Sequence, residues 1–320
     1  MGFKCGKFPE LTSGGNISFL DNGYKIHTFT SSGTFTNSSS YNHYVDILVV
    51  GGGGGSGYSG PTPRNIGAQG GTAGGGAAGS VLKRKWVSLS GNNTSFPVII
   101  GSAGNSETGI NQEPGSFDST PGGDTIFNSS GNNGIPEFRA PGGAKGAESI
   151  NWNPGFRPGT IIDNPLGSGG GGSAAWGYRG QTGSGIGANI SGFGFDGGDN
   201  GGGPDSPKNG GAGGGGGAGS AGIDGSGVSP TSPIPVSGGL GGEGLPISDF
   251  TGNPLDYAGV GGGGSPVSGS GPATSAGSIM YSAPRHPQDI NSPTHYGRGG
   301  SVGPGNNRQS QDGVVIVKLL

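Results

Sequence analysis

The residues able to do chemistry are few and poorly gathered. Four histidines are scattered: His27 and His43 in or beside strand-like segments, His286 and His295 in a Pro-rich stretch. At these spacings they read as ordinary surface histidines rather than as a zinc or catalytic set. Asp196, Asp199 and Asp205 cluster in Phe-Asp-Gly-Gly-Asp-Asn-Gly-Gly-Gly-Pro-Asp, a hint of calcium. Neither the EF-hand nor the nonapeptide β-helix pattern is met, so they are expected to be solvated loop carboxylates. No Ser, His and Asp grouping stands out from a Ser-rich background. With 82 glycines in 320 residues, a G-x-G-x-x-G match carries no meaning; about five windows are expected by chance. No P-loop motif occurs, and the single cysteine, Cys5, allows neither an internal disulfide nor a Cys-based metal cluster. The chain therefore reads as non-enzymatic, with no cofactor and no metal.

The residue types that remain are those of binding surfaces. Trp152, Phe156 and Arg157 fall in 150–158, and Trp176, Tyr178 and Arg179 in 175–179. Phe193 and Phe195 fall in 193–196, Tyr257 in 245–257, and Tyr281, Arg285 and Tyr296 in 279–298. Trp, Tyr and Arg dominate interface hot spots. These twelve are the candidate receptor or partner contacts, and the bland alternative is that they cap the ends of a scaffold.

That scaffold has an unusual composition. Gly and Pro (82 and 24) make up about a third of the chain, hydrophobic residues only 28% and charged residues 11%, with a net charge of −3. One oily core cannot fill such a length. The only dense basic cluster is Lys83-Arg84-Lys85, too little for a phosphate-binding surface, so no nucleic-acid partner is expected. Residues 1–20 lack a basic region followed by an apolar one, so no secretory signal is expected. No apolar run approaches the ~18–20 residues of a membrane helix, so no membrane insertion is expected.

Strand patterns are strong near both ends. Tyr24–Thr30 alternates, Ser31-Ser32-Gly33 reads as a turn, and Thr34–Thr36 resumes extended structure. Tyr44–Val50 ends as a continuous apolar run, as a strand buried on both faces would. Ser80–Val87, Phe96–Ile100 and Gly313–Leu320 are further candidates, the last being the strongest. An apolar strand left as an open edge would aggregate, so 313–320 is expected to close a sheet begun near the N-terminus. Helical signals are nearly absent, and the fold class is all-β.

Between the strands lie glycine tracts near 51–57, 70–79, 142–146, 169–172, 197–203, 210–219, 238–244, 261–264 and 299–305. Collagen is excluded because no Gly-X-Y period is kept. Ordering one residue costs about 1–2 kcal/mol, which glycine cannot offset by burying a side chain. Extended threefold helices can offset it: their N–H and C=O groups point outward in three directions, and side-chain-free neighbours can bond laterally. Any Cβ inside such a lattice would clash. The expected architecture is an antiparallel β-sandwich (jelly-roll or TNF-like) over 1–145 plus 306–320. A polyglycine II bundle with irregular aromatic loops then fills 146–305.

The run Tyr24–Thr36, then Val45–Gly55, the alternating glycine tracts and the strand Gly313–Val317 resemble glycine-rich domain proteins of bacteriophages, of the tail-fibre and tail-tip adhesin type. The alternation of tracts and variable segments is similar to the tip adhesins of T-even-type fibres, whose glycine-helix sandwiches hold up receptor-contacting loops. The resemblance implies a structural virion protein of the tail exterior, assembled in the host cytoplasm. Its implied partners are other virion proteins (tail fibre, tail, neck or capsid components) and a host-surface receptor. A purely structural connector or decoration protein is the alternative. If the chain oligomerises, a trimer is the expected form. The pairing of a β-sandwich with glycine helices, also seen in some animal receptor tyrosine kinases, supports the architecture alone.

Overall fold

The structure is a computed structural model, and it describes residues 11–57, 73–106, 119–131, 133–147, 167–172, 185–199, 211–226, 238–254, 256–264, 295–301 and 309–320. Its regular elements are almost all strands. They are β1 (Thr12–Ser13), β2 (Asn16–Phe19), β3 (Lys25–Phe29), β4 (Gly33–Asn37), β5 (His43–Val50), β6 (Val81–Leu89), β7 (Thr94–Ile99), β8 (Thr125–Phe127) and β9 (Phe138–Ala140). Later come β10 (Leu245–Pro246), the one-turn helix α1 (Ser248–Thr251), β11 (Tyr257–Ala258), β12 (His295–Tyr296) and β13 (Val314–Leu319).

Two five-stranded antiparallel sheets carry the orders β1-β4-β7-β8-β9 and β2-β3-β13-β5-β6. One hydrophobic cluster draws on both: Phe35, Phe96 and Phe127 from the first, Val45, Ile47, Val49, Val315 and Val317 from the second. Phe96 stacks on Phe127, and Phe127 on Phe138. β13 lies between β3 and β5, so the most apolar strand is central and has no open edge. The other face of the second sheet is covered too. Ile26, Leu48, Val50, Val314 and Ile316 there meet Ala218, Ile247, Phe250 and Ala258 from the glycine-rich half. This double burial is why β5 and β13 are apolar at successive positions instead of alternating.

One expectation needs correction here. His27 is not a surface histidine but is fully buried. Its Nδ1 pairs with the Gly14 carbonyl at 2.7 Å and its Nε2 with Thr12 Oγ1 at 3.0 Å. The ring also meets Phe35 edge-on at 5.0 Å. β1 and the glycine turn after it supply both partners, which is what makes an interior imidazole tolerable.

The glycine segments are neither helix nor ladder. Their N–H groups change partner in rotation, with a period of three residues. Gly51, Gly54 and Gly57 donate to Ser80, Ala77 and Gly74; Gly52 and Gly55 donate to Gly123 and Thr120; Gly53 donates to Gln311. The next segment repeats the scheme. Gly74 and Ala77 donate to Ala147 and Ala144, Gly75 and Ala78 to Gly213 and Gly216, and Gly76 and Gly79 to Gly300 and Gly297. Each segment is thus tied to three others, on both sides of residue 145. A methyl built on Gly52, Gly75, Gly214 or Gly215 would fall well inside 3.0 Å of a neighbouring carbonyl oxygen. The exclusion of side chains is nonetheless local, because Ala77, Ala78, Ala212 and Ala218 are wholly buried among these segments.

Candidate interaction surface

The aromatic candidates fall into two groups. Trp152, Phe156, Arg157, Trp176, Tyr178, Arg179, Tyr281 and Arg285 lie outside the described residues, as does Asp205. The other four are placed, on two separate supports. Phe193 sits on a tight turn closed by bonds from Phe193 N and Gly194 N to the Ile190 carbonyl. Gly192 and Gly194 take positive φ there, which an L side chain would resist. Ser80 Oγ donates to the Phe193 carbonyl at 2.6 Å and Val81 N to that of Gly192, tying the turn to the start of β6. The ring of Phe193 is 37% exposed, and Ile186 and Ile190 are exposed beside it in sequence. Phe195, one residue past the turn, is half-buried.

Tyr257 and Tyr296 belong to adjacent strands of the small β10-β11-β12 sheet, with Ala258 in register with Tyr296. Both are half-buried, and Tyr296 packs against the outer-face core. Burial first, and the charge of Asp256 second, raise the Tyr296 phenol above its ordinary pKa. Such a ring is a support more than an exposed contact. The Asp196 carboxylate is taken up locally. Asp196 accepts from Gly187 N at 2.7 Å and from Asn189, while Asp199 N donates to Asp224. Among the described residues, no three His, Cys, Asp or Glu side chains gather as metal ligands, and no helix is long and apolar enough to cross a membrane.

The most exposed aromatic side chain of the β module was not among the sequence candidates. Trp86, 70% exposed, sits at φ 57° in β6. A bulky residue there is an outlier. The cause is a β-bulge opposite Val45–Ile47, where Trp86 N donates to Asp46 Oδ1 at 3.1 Å. Asp46 is itself buried and paired with Lys318 Nζ at 3.2 Å. Bulges re-aim side chains, and this one is held by a buried ion pair. Lys318 also donates to the Asp249 carbonyl and lies 5.5 Å over the rings of Tyr24 and Phe250. Asp249 in turn pairs with Lys83 at 3.0 Å and Lys85 at 3.4 Å. Burial works to raise its pKa, but the hydrogen bonds and charges of those lysines outweigh it and hold the carboxyl below its usual range. The short helix is so clamped to the outer face.

Beyond that clamp the outer face is bare. Registers Lys318↔Ile26 and Leu319↔Val45 set Leu320 between Tyr24 and Tyr44, and Leu320 N donates to the Tyr44 carbonyl at 3.0 Å. All three side chains are exposed, Tyr44 at 55%. Arg84, also exposed, points to the other side of β6, in register with Ile47 and with its guanidinium over Phe138. The Tyr24–Leu320–Tyr44 row can hold a partner by ring and apolar contact. The sequence signal that could have found the exposed Trp86 is a Trp beside Lys83-Arg84-Lys85 within a strand. No family model matches the chain, and no curated protein matches it.

Proposed function

We propose that this chain is a non-enzymatic structural protein of a phage virion, of the tail-fibre or tail-tip type, in which a rigid scaffold displays recognition segments. In this reading the two sheets form a jelly-roll-like β-sandwich and the glycine segments are polyglycine II helices. The observation that carries it is the threefold rotation of lateral backbone bonds, together with the absence of room for a methyl on the glycines that make them. A lattice of that kind is stiff without an oily interior. Stiffness suits display, because a preorganised surface loses less entropy on binding. The resemblance of Tyr24–Thr36 and Val45–Gly55 to phage glycine-rich proteins supplies the virion context, and the exposed turn around Phe193 is one place where the scaffold presents apolar side chains.

The test is adsorption. Purified protein should bind susceptible bacterial cells and compete with phage infection, and truncating the 150–158 and 175–179 segments should abolish both. Failure of the intact, folded protein to bind any host of the phage that encodes it rejects the adhesin reading. A second reading then stands, favoured by the Tyr24–Leu320–Tyr44 row and Trp86: a connector that docks through its β module onto neighbouring virion proteins. Microscopy of the particle would show that face buried against a neighbour.

A further inference from the structure

The sheet edges are not equally protected. β1 is two residues long, and β9 is three, with Arg139 held by Asp124 and Glu137. β6 carries Lys83, Arg84 and Lys85 and the bulge at Trp86. Charges, bulges and shortness are the usual guards against edge pairing. β2, at the far side of the second sheet, has neither charge nor bulge and is longer than β1 and β9. Asn16-Ile17-Ser18-Phe19 is four residues long, uncharged, free of proline and exposed throughout.

Its hydrogen-bond phase can be read from the hairpin that follows. Leu20 N donates to the Tyr24 carbonyl at 2.9 Å, so Leu20 and Tyr24 are a bonded pair. Antiparallel pairs alternate, which makes Ser18↔Ile26 and Asn16↔Thr28 bonded and Phe19↔Lys25 and Ile17↔His27 unbonded. The N–H and C=O groups of Ile17 and Phe19 therefore point away from β3, toward the edge that no other described strand pairs with. The same two residues carry exposed apolar side chains, 39% for Ile17 and 69% for Phe19.

From this we infer that β2 pairs antiparallel with β2 of a second copy of this chain, about a two-fold axis through Ser18. That register sets Ile17 opposite the partner's Phe19 and Phe19 opposite the partner's Ile17. Each couple exchanges two backbone bonds, four in all, and joins two apolar side chains. Asp21, the nearest exposed charge, falls opposite the partner's Gly15, so no like charges meet. A self-complementary patch is what a two-fold dimer requires. Because the contact is only one short edge, the dimer is weak and concentration-dependent.

Sedimentation of the full chain over a wide concentration range tests this. The wild type should pass from monomer to dimer. Phe19→Lys, which sets a cation at each end of the edge, and Phe19→Pro, which removes an outward N–H without touching the bonds to β3, should each weaken dimerisation by at least about tenfold. Their melting temperatures should stay near wild type. A Ser18→Cys chain in a Cys5→Ser background should form an intermolecular disulfide on mild oxidation, since unbonded antiparallel pairs bring Cα atoms to about 4.5 Å. A chain that stays monomeric at every concentration, or a dimer or trimer unmoved by Phe19→Lys, or the absence of the Ser18→Cys cross-link, overturns the proposal.

Discussion

The space between the two sheets and the space among the glycine segments are both buried, but they are filled on opposite principles. Between the sheets, Phe35, Phe96, Phe127 and Phe138 stack with Val45, Ile47 and Val317, and the interior exists because of side chains. Among Gly51–Gly57, Ala73–Ser80 and Gly211–Gly219 the interior exists because side chains are missing, and main-chain N–H and C=O groups fill it instead. The first kind of core loses energy when atoms are removed. The second loses it when atoms are added. Composition alone therefore says little about whether a chain can be rigid; what counts is whether every buried polar group finds a partner.

The sharpest way to break the comparison is to add atoms to the second core. Gly215→Val puts a branched side chain against the Gly76 carbonyl, which cannot withdraw because its own segment is bonded on three sides. A loss above about 4 kcal/mol, the exceptional range for one substitution, is expected in chemical denaturation. An unchanged melting temperature would mean the segments are loosely held. Removing atoms from the first core comes next: Phe127→Ala should cost about 3–5 kcal/mol by the same measurement. The reverse pairing separates two reasons for being glycine. Gly23 has φ +87° and nothing near its hypothetical methyl, so Gly23→Ala should cost only the left-handed penalty of about 1–2 kcal/mol.

The smallest effect is a pH dependence confined to the β module. His43 Nε2 is buried without a partner, and burial first, then the charge of Lys25, push its pKa below the ordinary 6.5. The unfolded chain then binds a proton that the folded chain resists. The stability tied to this neutral ring is complete above the ordinary imidazole range and is lost as pH falls through it toward the folded value. Thermal melts between pH 8 and pH 5, values chosen to bracket imidazole titration, should show a decline that His43→Leu flattens.

Much of the β module was legible. The run at 44–50 predicted a strand buried on both faces and the run at 313–320 a strand closing a sheet begun near the N-terminus, and β5 and β13 are those strands. The tracts too were visible as tracts, and Gly213–Gly217 is one of the segments tied laterally by backbone bonds. What could not be read was anything decided by a partner distant in the chain. β8 and β9 are three residues each, below the length at which alternation speaks. Phe250 has its place because Lys83, Lys85 and Lys318 converge on Asp249 beside it, and no local pattern announces that. Burial of His27 depended on Thr12 and Gly14 arriving from another strand. Trp86 read as one more strand residue until the buried Asp46 carboxylate was seen to hold its backbone. Of the twelve candidate contacts, four could be placed, and the exposed Trp86, Tyr44 and Tyr24 were not among them.

The central position of β13 sets the timing of folding. β3 and β5 are made early, yet they pair only through residues 314–319, so a growing polypeptide on the ribosome holds β3 and the apolar β5 apart with their shared neighbour still unsynthesised. The second sheet can close only after the long stretch from Val50 to Val314 has been translated. Until then the apolar β5 lacks its neighbour, and a chain cut short before Val314 is expected to aggregate rather than to give a smaller folded protein.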